Sequence, residues 1–444
     1  MRLRYQLIAA VILVGVTTAI MLHSVLTRPK SVDIQARYQG TKAYAHVAAL
    51  TDFGPRVAGG PAEKAAADYI ASQMESYGLA VEIQEFPVTY FEDLGSTFEV
   101  VGGAVLSPNT LHFSPSGEFT TEIVECGLGY PTDFSTDTAG NIALVRRGDL
   151  YLWQKTQNAA AAGAVATVIY NNEPGNFFAT LTFTTDIPAV SVSLEDGTFL
   201  LDLLAAAPVM VHLTVETIAS EGTSQNVIGT LNGTDPEQGI IYLGAHYDSV
   251  SAGPGANDDA SGVGAMLEGA RVLSSEECRT EVTLKFIAFG AEETGLDGSE
   301  HYVVEKEDEV MKRGFGMINL DMIAVGDTLL IGNIGSAGSA LVDYTTDKAD
   351  AMEIAWQPFT AEARSDHAPF ETAGVPTVFL HQSPDPWTHT ADDTLDKIDV
   401  ATLELNGELA TATMYDWARR ETSTRSACAS TSCFCFGVMR ACRL

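Results

Sequence analysis

The chain has 444 residues, of which 46% are hydrophobic and 19% charged, and a formal charge of -33. That length suggests two or three domains, and the composition is globular, without collagen-like or heptad bias. Such acidity repels phosphates and excludes nucleic acid as a natural partner.

The two ends differ from the body. Arg2 and Arg4 precede an apolar run from Leu7 to Leu22. The run is long for a signal-peptide core and slightly short for a spanning helix. Arg28 and Lys30 follow it and blunt the charge asymmetry that would set its orientation. Residues 1–30 therefore read as a signal peptide or a signal anchor. Either one places the body outside the cytoplasm, secreted or held by an N-terminal membrane anchor. At the other end, Cys428, Cys433, Cys435 and Cys442 crowd a tail that has no CxxC pair. Cys126 and Cys278 lie far apart, so no disulfide framework emerges. Residues 421–444 read as a disordered, Cys-rich tail.

Residues 31–97 open with helical spacing through Tyr38, Ala45, Val47, Leu50 and Phe53. Gly59-Gly60-Pro61 is a turn, and Ala65 to Leu79 carries apolar residues on one helix face. Tyr77-Gly78 closes that helix. Val81 to Phe86 alternates like a strand. Residues 98–222 change texture, with more Gly, Thr and short β-like runs. Strands are expected at 140–148, 164–170 and 186–193, with a small-residue helix at 159–163. Pro188 favours the start or the edge of its strand. His112 and His212 stand alone here and read as structural or exposed. The ordered motifs GNIALVRRGD (140–149), NAAAAGAVATVIYNN (158–172) and IPAVSVS (187–193) resemble a protease-associated (PA) domain. That resemblance implies an inserted β-rich lid or interaction module without catalytic residues.

From Gln225 strands and helices alternate. Asn226–Leu231, Gly239–Ala245, Val282–Phe289, Gly314–Leu320, Thr328–Ile331 and Val375–Leu380 read as strands. Ser261–Leu273 and Val400–Trp417 read as helices. This pattern predicts an α/β fold, a mixed, mostly parallel sheet covered by helices on both faces.

Polar clusters follow the apolar runs. His246 and Asp248 end one, Glu292-Glu293 end another, and Asp321 ends a third. Asp258 lies in the Gly-rich loop after His246, and His389 in a late loop. In open α/β sheets, ligands bind beyond the carboxyl ends of the strands. His246, Asp258, Glu293, Asp321 and His389 are ligand types that zinc accepts. Two histidines and three carboxylates can fill two sites if one carboxylate bridges and water takes the open positions. Glu292, beside a ligand, is the candidate general base. Asp248 lies two residues past His246, so in extended chain both side chains point the same way. It can accept the free imidazole N–H and fix the tautomer. Singly, each residue is more ordinary: a strand-end Asp is usually a turn residue, and paired acids suit a helix start.

The motifs GAHYDS (244–249), GANDDASG (255–262), FGAEETG (289–295), NLDM (319–322), RSDHAPF (364–370) and HTADDTLD (389–396) resemble, in order, those of M28 family zinc metallopeptidases. The resemblance divides the chain into a peptidase domain at 31–97 and 223–420 and a PA-like insert at 98–222. It implies two Zn2+ per chain and an aminopeptidase acting on peptides. Asp258 would bridge, His246 and Asp321 would hold one ion, and Glu293 and His389 the other. Arg364 would lie near the substrate backbone, with Asp366 and His367 supporting the site. Many members carry Tyr before the last histidine ligand, whereas this chain has Thr388. The ligand set alone suits a carboxypeptidase, dipeptidase or amidohydrolase equally. A glutaminyl cyclase-like enzyme is the nearer alternative, and a non-catalytic receptor or adhesion domain the remotest. No G-x-S-x-G elbow supports a serine hydrolase.

Overall fold

The computed structural model describes residues 32–182, 184–335 and 339–420. The N-terminal apolar run and the Cys-rich tail lie outside the described residues. Among the described residues no helix is long and apolar enough to cross a membrane.

Two helices open the compact part of the chain, α1 (Gly40–Thr51) and α2 (Pro61–Ser76). Pro61 starts α2 at a position where its missing N–H costs nothing. Strand β1 (Ala80–Val100) follows and runs much further than its alternating start at 81–86 suggests. It pairs antiparallel along its whole length with β8 (Val209–Leu231). Pro87 and a bulge between Asp93 and Gly95 break the alternation that sequence reading relies on. Pro87 is tolerated because β1 there has a partner on one side only.

The β1/β8 ribbon joins two halves of one sheet. In the insert, β8 continues through β4 (Gly117–Glu125), β5 (Ile142–Arg146), β6 (Ala166–Tyr170), β7 (Ala189–Val192) and β3 (Asn109–Thr110). The short β2 (Val105–Leu106) pairs with the end of β1. Helices α3 (Leu152–Ala161) and α4 (Leu194–Leu204) complete this half. Its core is built on Phe98, Ile123, Leu144, Val168, Val190 and Val211.

In the other half, β8 pairs with β10 (Thr283–Phe289), then the order runs β9 (Ile240–His246), β11 (Gly314–Leu320), β14 (Thr377–Ser383), β12 (Thr328–Asn333) and β13 (Trp356–Thr360). The inner run β10-β9-β11-β14 is parallel, and the flanking pairs β8/β10 and β12/β14 are antiparallel. The mixed, mostly parallel sheet is thus the one the alternation predicts. Every residue of β9 and β10 is buried, as befits strands covered on both faces.

Helix α5 (Ala260–Leu273) packs against α1 and against α10 (Val400–Ala418) on one face of the sheet. A Cβ on Gly264 would lie 2.7 Å from the Ala43 carbonyl oxygen, so glycine is what lets α1 and α5 approach so closely. Helices α6 (Asp297–Glu305), α7 (Glu307–Arg313) and α9 (His367–Thr372) belong to the opposite layer, where Tyr302, Val310 and Phe370 share a core with Tyr242 and Phe289. Helix α8 (Ser339–Ala351) packs on β12 and β14.

Glu63 on α2 ties the first helices to the ribbon. Its carboxyl accepts from Gly59 N–H at 2.7 Å and from Ser224 Oγ at 2.5 Å. Burial first, and nearby Asp248 second, push its pKa up to about 8 against those hydrogen bonds. An unfolded Glu titrates near ~4.3. Between those values the folded chain holds the extra proton, so stability falls as pH rises through about 8. Relative to wild type, Glu63→Gln should therefore gain stability by roughly 1–4 kcal/mol between acidic and mildly alkaline pH. Denaturant unfolding of both proteins at several pH values checks this; a pH-independent difference contradicts it.

Candidate metal centre

The strand order brings five chain segments to one rim. His246 is the last residue of β9, and Asp321 directly follows β11. Glu292 and Glu293 stand in the loop after β10, Asp258 and Asp259 precede α5, and His389 lies beyond β14. The side chains converge. His246 Nε2 is 3.1 Å from Asp258 Oδ1 and 3.9 Å from Asp321 Oδ1. His389 Nε2 is 3.1 Å from Asp258 Oδ2 and 3.1 Å from Glu293 Oε2. Asp258 therefore offers one carboxylate oxygen to each histidine.

Asp259, which sequence reading passed over, also comes within reach of His246 and Asp321, with ligand atoms inside 4.8 Å of one another. Its Oδ1 is already engaged, accepting from Gly262 N–H at 2.8 Å and Met322 N–H at 3.1 Å. It thereby caps α5 and anchors the chain just past Asp321. Asp258, closer to both histidines, is the better ligand for the shared position.

The electrostatics are those of a cage short of cations. Burial opposes charge on His246, but Glu292, Asp248, Asp258 and Asp321 outweigh it and hold its pKa well above the usual imidazole value. Glu293 and then Asp258 push His389 up to about 12 against burial. Burial would raise Asp258, yet the two histidines pull it well below the carboxylate range. Burial drives Glu292 far up, with Glu293, Asp321 and Asp366 adding and His246 opposing. Glu293 and Asp321 are raised by burial as well. Buried carboxylates demand compensating charge, and two imidazoles are too few. Glu293 Oε1 and His246 Nδ1 are moreover buried without a hydrogen-bond partner among the described residues. Divalent ions suit this donor set of imidazole nitrogens and carboxylate oxygens.

A layer of hydrogen bonds fixes these groups. Asp248 Oδ1 lies 3.4 Å from His246 Nδ1, long for a hydrogen bond. Its firmer partners are the N–H groups of Glu292 at 3.0 Å and Glu293 at 3.1 Å. One buried carboxylate thus faces the imidazole and pins the backbone of the adjoining acid pair. Asp393 accepts from Asn257 N–H at 2.8 Å and Asp258 N–H at 3.1 Å.

Arg56 has no accessible surface. Its guanidinium donates to the carbonyls of Tyr247 at 2.6 Å, Gly255 at 2.9 Å and Pro254. Burial lowers its pKa only to about 10, because Asp248, Asp393, Asp259 and Asp258 oppose the fall. Arg56 is thus a fixed cation beneath the acidic cluster that also clamps the loop between His246 and Asp258. Nothing in the local sequence around Gly54-Pro55-Arg56 marks this role.

Ala291, Met322 and His389 adopt left-handed backbone, with φ of 55, 60 and 58°. Such conformations cost roughly 1–3 kcal/mol each and cluster at functional sites. Here His389 is itself a candidate ligand, Met322 follows the candidate ligand Asp321, and Ala291 precedes the candidate base Glu292.

The cluster opens into a cleft of about 910 Å3 whose apolar side includes Met322, Leu330, Phe359 and Phe379. Arg364 stands on its rim, its side chain 82% exposed and 2.5 Å from Glu362. Asp366 is buried, neither of its carboxylate oxygens has a hydrogen-bond partner among the described residues, and burial raises its pKa to about 7 against the pull of His246. His367 is a packed ring stacked on Phe379 at 4.7 Å, and burial lowers it to about 4. The Thr388 hydroxyl donates to the Asp385 carbonyl at 3.3 Å. His112, isolated in sequence, lines a second cavity together with Glu293 and His389.

Comparison with known proteins decides the family. The Peptidase family M28 model matches residues 226–414, and the PA domain model matches residues 119–200. Aminopeptidase YwaD of Bacillus subtilis is 35% identical over 403 residues, 86% of each chain. The chain belongs to peptidase family M28. Another relative of this M28 peptidase is a probable leucine aminopeptidase 2 of Aspergillus oryzae, 30% identical over 84% of this chain and 78% of that one. Among solved structures, an aminopeptidase from Aneurinibacillus sp. strain AM-1 superposes with TM-score 0.78 at 35% identity, covering 87% of this chain and 96% of its own. BSAP, a zinc aminopeptidase from Bacillus subtilis, gives TM-score 0.73 at 33% identity over 86% and 96%.

Asp393 gives the hydrogen-bond layer a direct test. Asp393→Ala should weaken divalent-ion binding by ~10–100-fold, the usual effect of losing a group that orients ligands. Calorimetric zinc titration of folded variant and wild type checks this; equal affinities contradict it.

Proposed function

We propose that this M28 peptidase is a two-zinc aminopeptidase that works outside the cytoplasm. The observation that carries the reading is the Asp258 carboxylate, with one oxygen 3.1 Å from each histidine Nε2. His246 and Asp321 would hold one ion, Glu293 and His389 the other, and Asp258 both. Zinc bound there would supply Lewis-acid polarisation of the scissile carbonyl and acidify the attacking water. Glu292 takes the proton of that water on a carboxylate oxygen and passes it to the leaving amine nitrogen. Asp248 keeps the His246 ring and the Glu292 backbone in register for this transfer.

The preference for a free amino terminus has its own support. Apart from the candidate ligands and the candidate base, the cleft is lined by Glu300 and by Glu362, and this acidic lining favours an ammonium group over a carboxylate. Arg364, which could contact the substrate backbone, already pairs with Glu362. Among the described residues, no other Arg or Lys lines the cleft to receive the terminal carboxylate of a carboxypeptidase substrate. The apolar wall of Met322, Leu330, Phe359 and Phe379 suits an apolar first side chain. The names of the relatives agree, since they include leucine aminopeptidases and a zinc aminopeptidase. The export part rests on Arg2, Arg4 and the apolar run from Leu7 to Leu22.

Two mutations separate the roles. Glu292→Gln should keep both ions and lower kcat by at least ~100-fold; zinc content and steady-state kinetics check it, and undiminished turnover contradicts it. Asp258→Asn should weaken both ions together, and metal analysis showing one ion fully retained contradicts a shared ligand. Chelation should abolish cleavage of a free-amine peptide, zinc should restore it, and N-acetylation should block it. Cleavage of the N-acetylated peptide at an equal rate contradicts the aminopeptidase reading.

A further inference from the structure

The second cavity, of about 410 Å3, has Glu293 and His389 in its wall, and Thr180 lines both this cavity and the large cleft. Two hollows therefore flank one pair of candidate ligands. A peptide cut at that pair has one residue on each side of the scissile bond. The acidic cleft suits the α-ammonium end, which leaves the second cavity for the residue after the bond.

Much of that cavity's wall belongs to the ribbon and the PA insert. Phe91 and Asp93 come from β1, Thr110 from β3, and Phe178 from the loop before β7. The loop is held in place. His112 N–H donates to the Ala179 carbonyl and Leu181 N–H to the His112 carbonyl, each at 3.0 Å. Asn109 Nδ2 and Ser191 Oγ donate to the Phe177 carbonyl at 3.1 and 2.6 Å. On this fixed backbone Phe178 still leaves 54% of its surface exposed. An exposed aromatic ring on the wall of a cavity of ligand size marks a binding surface better than a core position.

Two residues of the same wall, Thr110 and His112, carry buried polar atoms, Oγ1 and Nε2, that have no hydrogen-bond partner among the described residues. Buried polar atoms are seldom left so; these two lie behind the cavity surface and add no direct contact to a ligand. Burial alone lowers His112 to about 4, so its ring is neutral near pH 7 and adds no charge. Across the cavity, Val57, Ala58, Val250 and Ala252 offer a small apolar surface.

We propose that this cavity is the leaving-side pocket of the peptidase, which selects an apolar, above all aromatic, side chain at the second position of the peptide. Phe178 is its specificity-determining residue, so the PA insert takes part in choosing substrates. The inference rests on the aminopeptidase reading.

The test compares the zinc-loaded enzyme on leucylphenylalaninamide, leucylglycinamide and leucinamide. Amides keep a free carboxylate away from Asp93. Wild type should favour the phenylalanine substrate over the glycine one by ~10–100-fold in kcat/KM, the range one apolar side chain earns in a pocket. Phe178→Ala should cut that ratio by at least ~5-fold, and Phe178→Leu should restore part of it. A purely structural defect would lower both rates alike and leave the ratio standing, which overturns the role of Phe178. A wild-type ratio near one, with leucinamide still hydrolysed, overturns the pocket while sparing the aminopeptidase reading. Failure to hydrolyse leucinamide and both dipeptide amides overturns that reading, and the pocket falls with it.

Discussion

The site depends on a charge imbalance built into one buried carboxylate. Asp258 sits between two imidazoles, while Glu292, Glu293 and Asp321 crowd the same space. Keeping these carboxylates ionised together is costly, because each one that ionises raises the cost of ionising the next. Cations relieve this, and an arrangement with one oxygen toward each histidine has room for a cation on either side. The fold supplies the convergence: three parallel strands end at this rim, and the start of α5 presents the shared aspartate.

Holding mutually repelling groups in place takes a second layer of interactions. Asp248 and Asp393 spend their oxygens on backbone N–H groups of the loops that carry candidate ligands. Asp259 does the same for the chain past Asp321. Arg56 places a permanent positive charge beneath them and ties down three carbonyls of the His246 to Asp258 connection. The left-handed residues at the candidate site persist because these bonds over-determine the loops. Stability that could have gone to relaxed backbone is used to hold ligand geometry.

Much of this was legible in the sequence, for identifiable reasons. Buried parallel strands read as β-branched runs, and polar residues at their ends stand out, so His246, Glu293 and Asp321 were visible as strand-end residues. Asp258 and His389 were visible through the motifs that surround them. The mixed parallel sheet followed from alternating periodicities. The length of β1 was hidden, because Pro87, Asp93 and Gly95 interrupt its pattern while its pairing with β8 continues. Arg56 and His112 were hidden for another reason: their partners lie far away in sequence, and a lone arginine after a turn or a lone histidine in a β-rich segment carries no local signal.

The ribbon places the insert beside the candidate site. A strand pair that starts in the peptidase sheet and ends in the PA sheet fixes the insert beside the candidate metal ligands, and Phe91 and Asp93 line the hollow at that passage. The most direct measurement of the central claim is anomalous diffraction at the zinc edge from crystals grown with zinc. Two peaks are expected, one beside Nε2 of each histidine, with the Asp258 carboxylate between them. A single peak, or peaks that Asp258 does not touch, would contradict it.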